Sequence, residues 1–249
     1  MLKIANVSKS FFGFLALNNM TMSVESGEMR ALIGPNGAGK TTLLNVISGY
    51  FLPDTGDVQY KGRSIIGVAS HRLFHEGIAR SFQVTSIFPR YSVFQNVQLA
   101  LMSRHGRCRN LVTRVKGVLR DEVYGLLAFV KMDHRANDLG GQLNAGDRKR
   151  LEFAMALAAE PELMLLDEPT AGMGESEKGL VIDIIKRMNR QRGVTILFTE
   201  HDMDVVFDMA FKITVMHEGS FFAEGLPQEI RDDKRVEEIY FGEPSLAEG

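Results

Sequence analysis

The chain of 249 residues is 45% hydrophobic, so it is large enough to bury one sizeable core or two small ones. Its 29 Lys and Arg residues nearly balance 31 Asp and Glu residues, which gives a formal net charge of −2. This balance argues against the basic surface that binds nucleic acid or anionic membranes.

The sequence also indicates the compartment in which the protein works. Its single cysteine, Cys108, cannot form an internal disulfide, which suits a reducing compartment. The segment from Met1 to Asn6 lacks the apolar stretch of a signal peptide, and no window approaches the ~20 apolar residues that span a bilayer. We therefore expect a soluble protein that reaches a membrane only through a partner.

The first segment predicts antiparallel strands. Leu2 and Ile4 alternate with polar neighbours, and the same alternation runs from Met20 to Val24. Between them lies an aromatic cluster from Ser10 to Phe14. The pattern leaves open whether these rings pack under the sheet or whether one of them stacks on a nucleotide base.

The next segment, Gly34 to Thr42, matches the phosphate-binding pattern G-x-x-x-x-G-K-[ST]. A short apolar strand is predicted before it, from Met29 to Ile33, and a helix after it, from Thr42 to Ser48. In this arrangement backbone N–H groups and a helix N-terminus face an anion. Lys40 would reach the β and γ phosphates, and the Thr41 hydroxyl would ligate Mg²⁺.

A second apolar stretch runs from Ile78 to Gln83 and ends in a neutral amide. Gln83 at such a position can coordinate Mg²⁺ or a water, or it can be an ordinary surface residue. Residues 92–137 then alternate helical patterns with a basic, irregular segment, which indicates a helical insertion rather than another sheet unit. The arginines between Arg104 and Arg114 form either an anion-binding patch or a solvated loop.

A further helix is predicted to open at Leu143 and to run to Ala159. The negative charge of Asp147 in its first turn interacts favourably with the helix dipole, whereas the positive charges from Arg148 to Arg150 interact unfavourably with it. A basic first turn is tolerable where an anion docks, so this segment is a candidate anion site.

Two apolar runs then end in polar residues. The run from Leu163 ends at Asp167 and Glu168, and it reads as a strand buried in a parallel sheet. Open α/β sheets place their chemistry beyond the carboxyl ends of the strands. Since unpaired buried carboxylates are costly, we expect Asp167 to orient the Mg²⁺ shell and Glu168 to act on a water. His201 follows the next strand, and its position alone fits either a structural or a functional histidine.

Taken together, these segments resemble the ATP-binding subunit of an ABC transporter, over nearly the whole chain and in the right order. The resemblance implies an α/β fold: a P-loop NTPase ABC cassette with a RecA-like, mostly parallel core sheet, an antiparallel β subdomain and a helical subdomain. It also implies a single ABC ATPase domain over residues 1–249. In that division, residues of about 1–83 and 160–249 form the β subdomain and the nucleotide-binding core, and residues of about 84–159 form the helical subdomain with the signature motif.

The resemblance gives roles to the residues that match the family motifs. The implied catalytic residues are the Walker B glutamate Glu168, the switch histidine His201 and the Q-loop glutamine Gln83. The implied Mg²⁺ ligands are Thr41, Gln83 and Asp167. The residues implied to bind ATP are Phe12, which matches the adenine-stacking aromatic, the Walker A residues Asn36, Gly37, Ala38, Gly39, Lys40, Thr41 and Thr42, and, toward the ATP of a second subunit, the signature residues Asn144 and Gly146.

More narrowly, the chain resembles the ATPases of branched-chain amino acid, urea and amide importers. The segments that carry this likeness are Ala79 to Gln83, Glu168 to Met173, Glu200 to Met203, His217 to Gly219 and Glu238 to Glu243. The likeness implies ATP hydrolysis that drives solute import through transmembrane permease subunits, at the cytoplasmic face of the cell membrane. It also implies a second ATPase subunit, in a homodimer or a heterodimer, and indirect action with an external solute-binding protein, without nucleic acid.

The signature segment departs from the family pattern L-S-G-G-Q, because it reads Leu143-Asn144-Ala145-Gly146-Asp147. Asn144 still offers an amide donor and Gly146 keeps a close approach, but Asp147 near a phosphate is unfavourable unless it points away. One alternative is therefore a regulatory half-site with weak turnover. Another is an ABC-type ATPase of DNA repair or translation, which the single cassette and the missing heptads disfavour.

Overall fold

The computed structural model describes residues 1–81, 87–104 and 119–241. The strands are β1 (Leu2–Phe11), β2 (Phe14–Val24), β3 (Met29–Ile33), β4 (Thr55–Tyr60), β5 (Arg63–Ser64), β6 (Ile78–Ser81), β7 (Leu163–Asp167), β8 (Thr195–Thr199), β9 (Lys212–His217) and β10 (Ser220–Gly225). The helices are α1 (Lys40–Ile47), α2 (Ser70–His75), α3 (Val93–Arg104), α4 (Arg120–Phe129), α5 (Ala145–Leu157), α6 (Glu175–Arg192), α7 (Met203–Met209), α8 (Pro227–Arg231) and α9 (Lys234–Phe241).

The central sheet contains β10, β9, β3, β8, β7 and β6 in that order. The five strands from β9 to β6 run parallel, and β10 joins β9 as an antiparallel hairpin. In this register Leu32 of β3 and Asp167 of β7 both lie opposite Thr199 of β8. The carboxyl ends of these three strands therefore meet at one edge of the sheet, and the predicted mostly parallel core is confirmed.

Both faces of the central sheet are buried. Ala31 and Ile33 pack into a cluster that includes side chains of α3 to α7, whereas Leu32 packs into a second cluster with side chains of α1 and of the other sheet. Successive side chains of a strand point to opposite faces, so a strand covered on both sides has no polar face. This is why residues 31–33 of β3 and residues 163–166 of β7 read as apolar runs.

A second sheet, in the order β2-β1-β4-β5, is antiparallel throughout. It confirms the antiparallel strands predicted for the first segment. Between β6 and β7 the chain forms α3, α4 and α5, which pack against one another, as expected of a helical insertion. Gln83, Cys108 and the arginine-rich segment beyond Arg104 lie outside the described residues.

The first strand of the parallel core carries a buried charged side chain. Arg30 of β3 is only 2% exposed. Its Nε donates to Glu28 Oε1 at 2.6 Å, and its Nη1 donates to Thr214 Oγ1 at 2.9 Å and to the Glu224 carboxylate. A buried guanidinium needs such partners, because an unpaired charge in the interior is strongly unfavourable.

We expect Arg30→Met to lower the free energy of unfolding by about 3–5 kcal/mol, because it leaves the buried Glu28 without its charge partner. Urea denaturation measures this change. The phosphate-binding loop follows the other end of β3, so nucleotide affinity of the folded variant should stay at the wild-type value. A loss of stability below about 1 kcal/mol, the range of exposed ion pairs, would contradict this role.

Candidate active site

The loop between β3 and α1 is pressed tightly against its neighbours at two glycines. A Cβ on Gly34 would lie 2.2 Å from the Met216 carbonyl oxygen, and one on Gly39 would lie 2.4 Å from the Ala16 carbonyl oxygen. Gly39 also has a φ of +94° and occupies the N-cap position of α1. Only glycine fits such positions. The first turn of α1 begins directly after Gly39, and N–H groups in the first turn of a helix have no partner within the helix.

A cavity of about 230 Å³ opens over this loop. It is lined by Asn36, Gly37, Ala38, Gly39, Lys40, Thr41 and Thr42 of the loop and α1, by Glu168 and His201, and by Phe14 and Ala16 of β2. The structure therefore brings together the Walker A residues, the predicted catalytic glutamate and the predicted switch histidine. Three separate stretches of sequence supply them.

Lys40 lies over the loop with its amine turned back on the main chain. Its Nζ donates to the carbonyl oxygens of Gly34 at 2.6 Å and Pro35 at 2.9 Å. Burial lowers the pKa of the Lys40 ammonium, while the Glu168 and Asp167 carboxylates act in the opposite direction. A buried ammonium beside free N–H groups makes the loop a strong site for a polyanion.

Asp167 closes β7 and is 2% exposed. Its Oδ1 accepts a hydrogen bond from Thr199 Oγ1 at 2.8 Å and lies 3.5 Å from Thr41 Oγ1. On the other side, Arg80 Nη2 lies 3.5 Å from Asp167 Oδ2, and Arg80 Nη1 donates to Asn45 Oδ1 at 2.7 Å. The carboxylate is thus held in place with one oxygen beside the Thr41 hydroxyl.

The donor set at this edge fits Mg²⁺. Among the residues that the structure describes, no three His, Cys, Asp or Glu side chains form a metal-binding group. Mg²⁺ usually takes one or two protein oxygens and completes its shell with water and substrate phosphates. The Thr41 hydroxyl and the Asp167 carboxylate match that requirement.

Glu168 and His201 form a pair at the mouth of the cavity. His201 Nε2 lies 2.7 Å from Glu168 Oε1, so a hydrogen bond joins the imidazole to the carboxyl group. Glu168 has a φ of +48°, which is rare outside glycine, and its N–H donates to the Thr199 carbonyl oxygen and hydroxyl at 3.2 and 3.1 Å. This backbone position turns the glutamate side chain away from the strand and toward the cavity.

The predicted adenine-stacking residue, Phe12, does not line the cavity. Phe12 and Gly13 form the turn between β1 and β2, where Phe11 pairs with Phe14, and the Phe12 ring is fully exposed. Phe14 lines the cavity together with Ala16. Residues two apart on a strand share a face, so the alternation from Ala16 back to Phe14 was the sequence signal that identifies this ring.

The signature residues lie apart from this cavity and have partners of their own. Asn144 caps α5, since its Oδ1 accepts the Asp147 N–H at 2.8 Å. A Cβ on Gly146 would lie 3.1 Å from the Glu177 side chain of α6. Neither Asn144 nor Gly146 is among the described residues that line the cavity over the loop. Glu168 nevertheless also borders a second cavity of about 260 Å³, next to Ala145.

The acid in the signature is neutralised within the chain. Asp147 is 5% exposed, and its carboxylate pairs with both Arg135 and Arg150. Lys149, also in the basic first turn of α5, donates to Ser81 Oγ at 2.7 Å and to Glu152 at 3.1 Å. Protein groups therefore engage Arg135, Lys149 and Arg150, and the Asp147 charge is balanced by two of them.

The sequence profile of the ABC transporter family matches residues 17–171 of the chain, which includes the loop and β7. The chain belongs to the ABC transporter family. ATP-binding cassettes of this family hydrolyse ATP to drive transport, so the predicted ABC cassette and ATPase are confirmed.

Relatives show how far the likeness extends. The cassette is 32% identical to the high-affinity branched-chain amino acid transport ATP-binding protein BraF of Pseudomonas aeruginosa, over 98% of each chain. It is 33% identical to the sulfate/thiosulfate import ATP-binding protein CysA of Pseudomonas syringae, over 96% of this chain and 71% of that protein. A crystal structure of the ADP conformation of an ABC transporter cassette superposes with a TM-score of 0.85 at 29% identity, over 98% of this chain and 99% of that chain.

None of the described helices of this cassette combines the length and the apolar composition that would let it cross a bilayer.

We expect Phe14→Ala to weaken ATP binding about 10-fold, because a ring that stacks on a base contributes about 1–3 kcal/mol. The matched control is Phe12→Ala, which removes an equal ring outside the cavity and should leave Kd unchanged. Titration with a fluorescent ATP analogue measures both values. A larger effect from Phe12→Ala than from Phe14→Ala would return the stacking role to Phe12.

Proposed function

We propose that this cassette binds ATP in the cavity over the loop and hydrolyses it to drive import of a solute of the branched-chain amino acid, urea or amide class. The observation that carries the proposal is the Glu168–His201 pair, at 2.7 Å, on the wall of the cavity that Lys40 and the loop also line. The import class is supported by the likeness to BraF, which covers 98% of both chains, against 71% of the sulfate relative.

ATP binding would be electrostatic. The loop N–H groups and the Lys40 amine would hold the phosphates, and Lys40 would exchange its carbonyl partners for phosphate oxygens. The Phe14 ring would cover the base. Thr41 and Asp167 would hold Mg²⁺, which neutralises phosphate charge when bound. Gln83 stays a predicted third ligand outside the described residues.

Phosphoryl transfer to water depends on positioning and charge more than on covalent chemistry. Glu168 would accept the proton of the attacking water, and His201 would hold the Glu168 carboxylate in place through the bond seen here. The Glu168 N–H donates to the hydroxyl and the carbonyl oxygen of Thr199, and these bonds hold the main chain of Glu168. This fits a residue whose side chain must be oriented toward the attacking water.

The functional unit would be a dimer in which the signature residues Asn144 and Gly146 of one subunit cover the ATP of the other. Within the single chain these residues lie outside the cavity, which supports their placement there by a second subunit. The pairing of Asp147 with Arg135 and Arg150 removes the charge objection to that contact. This supports a competent motor over a regulatory half-site.

The membrane partner would dock on exposed apolar side chains: Tyr50 and Leu52 follow α1, and Phe88 and Tyr91 precede α3. Such a patch fits a short helix from a permease subunit at the cytoplasmic face of the cell membrane. In this arrangement the helical subdomain, about 84–159, would move against the nucleotide-binding core when the ATPase dimer closes. This movement would drive a conformational change of the permease.

We expect Glu168→Gln to lower the ATPase kcat at least about 100-fold, because it removes the general base while keeping the shape of the side chain. The control is Glu76→Gln, which makes the same change at an exposed position. Mass in solution, with and without ATP and Mg²⁺, should show an ATP-dependent dimer of the Glu168→Gln protein.

Wild-type turnover in Glu168→Gln would overturn the role of Glu168. A variant that binds ATP and stays monomeric would indicate that the partner subunit is a different ATPase chain.

A further inference from the structure

A buried carboxylate sits directly beside the Glu168–His201 pair and has no part in the function proposed above. Glu200 follows the last residue of β8 and precedes His201, and it is only 5% exposed. Within the described part of the chain, Lys and Arg side chains form no ion pair with it. A buried charge of this kind is costly unless hydrogen bonds satisfy it.

The bonds that satisfy Glu200 join two segments of the site. Its Oε1 accepts from the N–H and the hydroxyl of Thr170, at 2.8 and 2.6 Å. Its Oε2 accepts from the N–H of His201 at 3.2 Å. Thr170 lies two residues after Glu168, so one carboxylate ties the main chain that carries His201 to the segment that carries Glu168.

These bonds act with a second tie between the same strand ends. The Glu168 N–H donates to Thr199, which directly precedes Glu200. The His201 side chain is about half exposed, so packing covers only part of the ring that contacts Glu168. Its position relative to Glu168 therefore depends on how firmly the main chain is held below it.

We propose that Glu200 is a positioning residue for ATP hydrolysis, which holds the main chain of His201 so that the imidazole meets the Glu168 carboxylate. The inference rests on the proposed roles of Glu168 and His201. Because Glu200 acts through His201, it should affect turnover and leave ATP affinity unchanged.

The decisive variant is Glu200→Gln. An amide offers one oxygen and one NH₂ group, whereas the three donors around Glu200 need an oxygen on both sides. The oxygen can stay with Thr170, but the NH₂ group then faces the His201 N–H. We expect kcat to fall about 10- to 100-fold, the size of effect that a misplacement of about 1 Å produces. The Kd for ATP should stay within about two-fold of wild type. This change is smaller than the one that loss of a direct contact with the nucleotide would cause.

A double-mutant cycle separates positioning from general loss of structure. If Glu200 acts through His201, then Glu200→Gln should lower kcat little further in a His201→Ala background. Glu28→Gln is the matched control, because it changes another buried glutamate, which bonds Arg30 at the far end of β3. It should lower the melting temperature and leave kcat unchanged.

Four results would overturn the inference. A kcat for Glu200→Gln within about two-fold of wild type, or additive effects of Glu200→Gln and His201→Ala, would overturn the inference. A loss of kcat matched by an equal loss of ATP-binding sites would also overturn it, since that indicates unfolding. If His201→Ala alone leaves kcat unchanged, the proposed role of His201 fails, and the inference fails with it.

Discussion

The parallel pairing of β3, β8 and β7 is the constraint on which the site depends. Thr199 at the end of β8 lies opposite Leu32 on one side and Asp167 on the other. The phosphate-binding loop, the acidic pair and His201 therefore leave the sheet at one edge, although more than 150 residues separate the first from the last. A slip of this register would move Asp167 away from Thr41 and Thr199, and the hydrogen bonds at the site would be lost.

The same sheet also separates two kinds of packing. One face supports α1 and the antiparallel sheet, and the other supports the helices that include α5 and its signature residues. The buried charges in α5 have partners: Asp147 pairs with Arg135 and Arg150, and Lys149 donates to Ser81. Because protein groups satisfy each of these charges, their burial needs no ligand. The polar groups that line the nucleotide cavity are not used for this purpose.

Motif and periodicity predicted the features that are local in sequence. The loop at Gly34, the strand ending at Asp167 and the histidine after β8 all lie where their patterns indicated. Phe12 stays a prediction for the adenine-stacking ring, but Phe14 lines the cavity instead, because the position of the hairpin turn decides which neighbouring ring faces it. The partners of Asp147 and Glu200 could not be predicted, since a buried acid in a sequence does not show which distant donor it meets.

The most direct test of the account is an anomalous difference map from crystals of the full chain with a non-hydrolysable ATP analogue and Mn²⁺. We expect one Mn²⁺ peak next to the Thr41 hydroxyl and the Asp167 carboxylate, with the phosphates on the loop and on the Lys40 amine. A nucleotide outside the cavity, or Mn²⁺ bound away from Thr41 and Asp167, would contradict it.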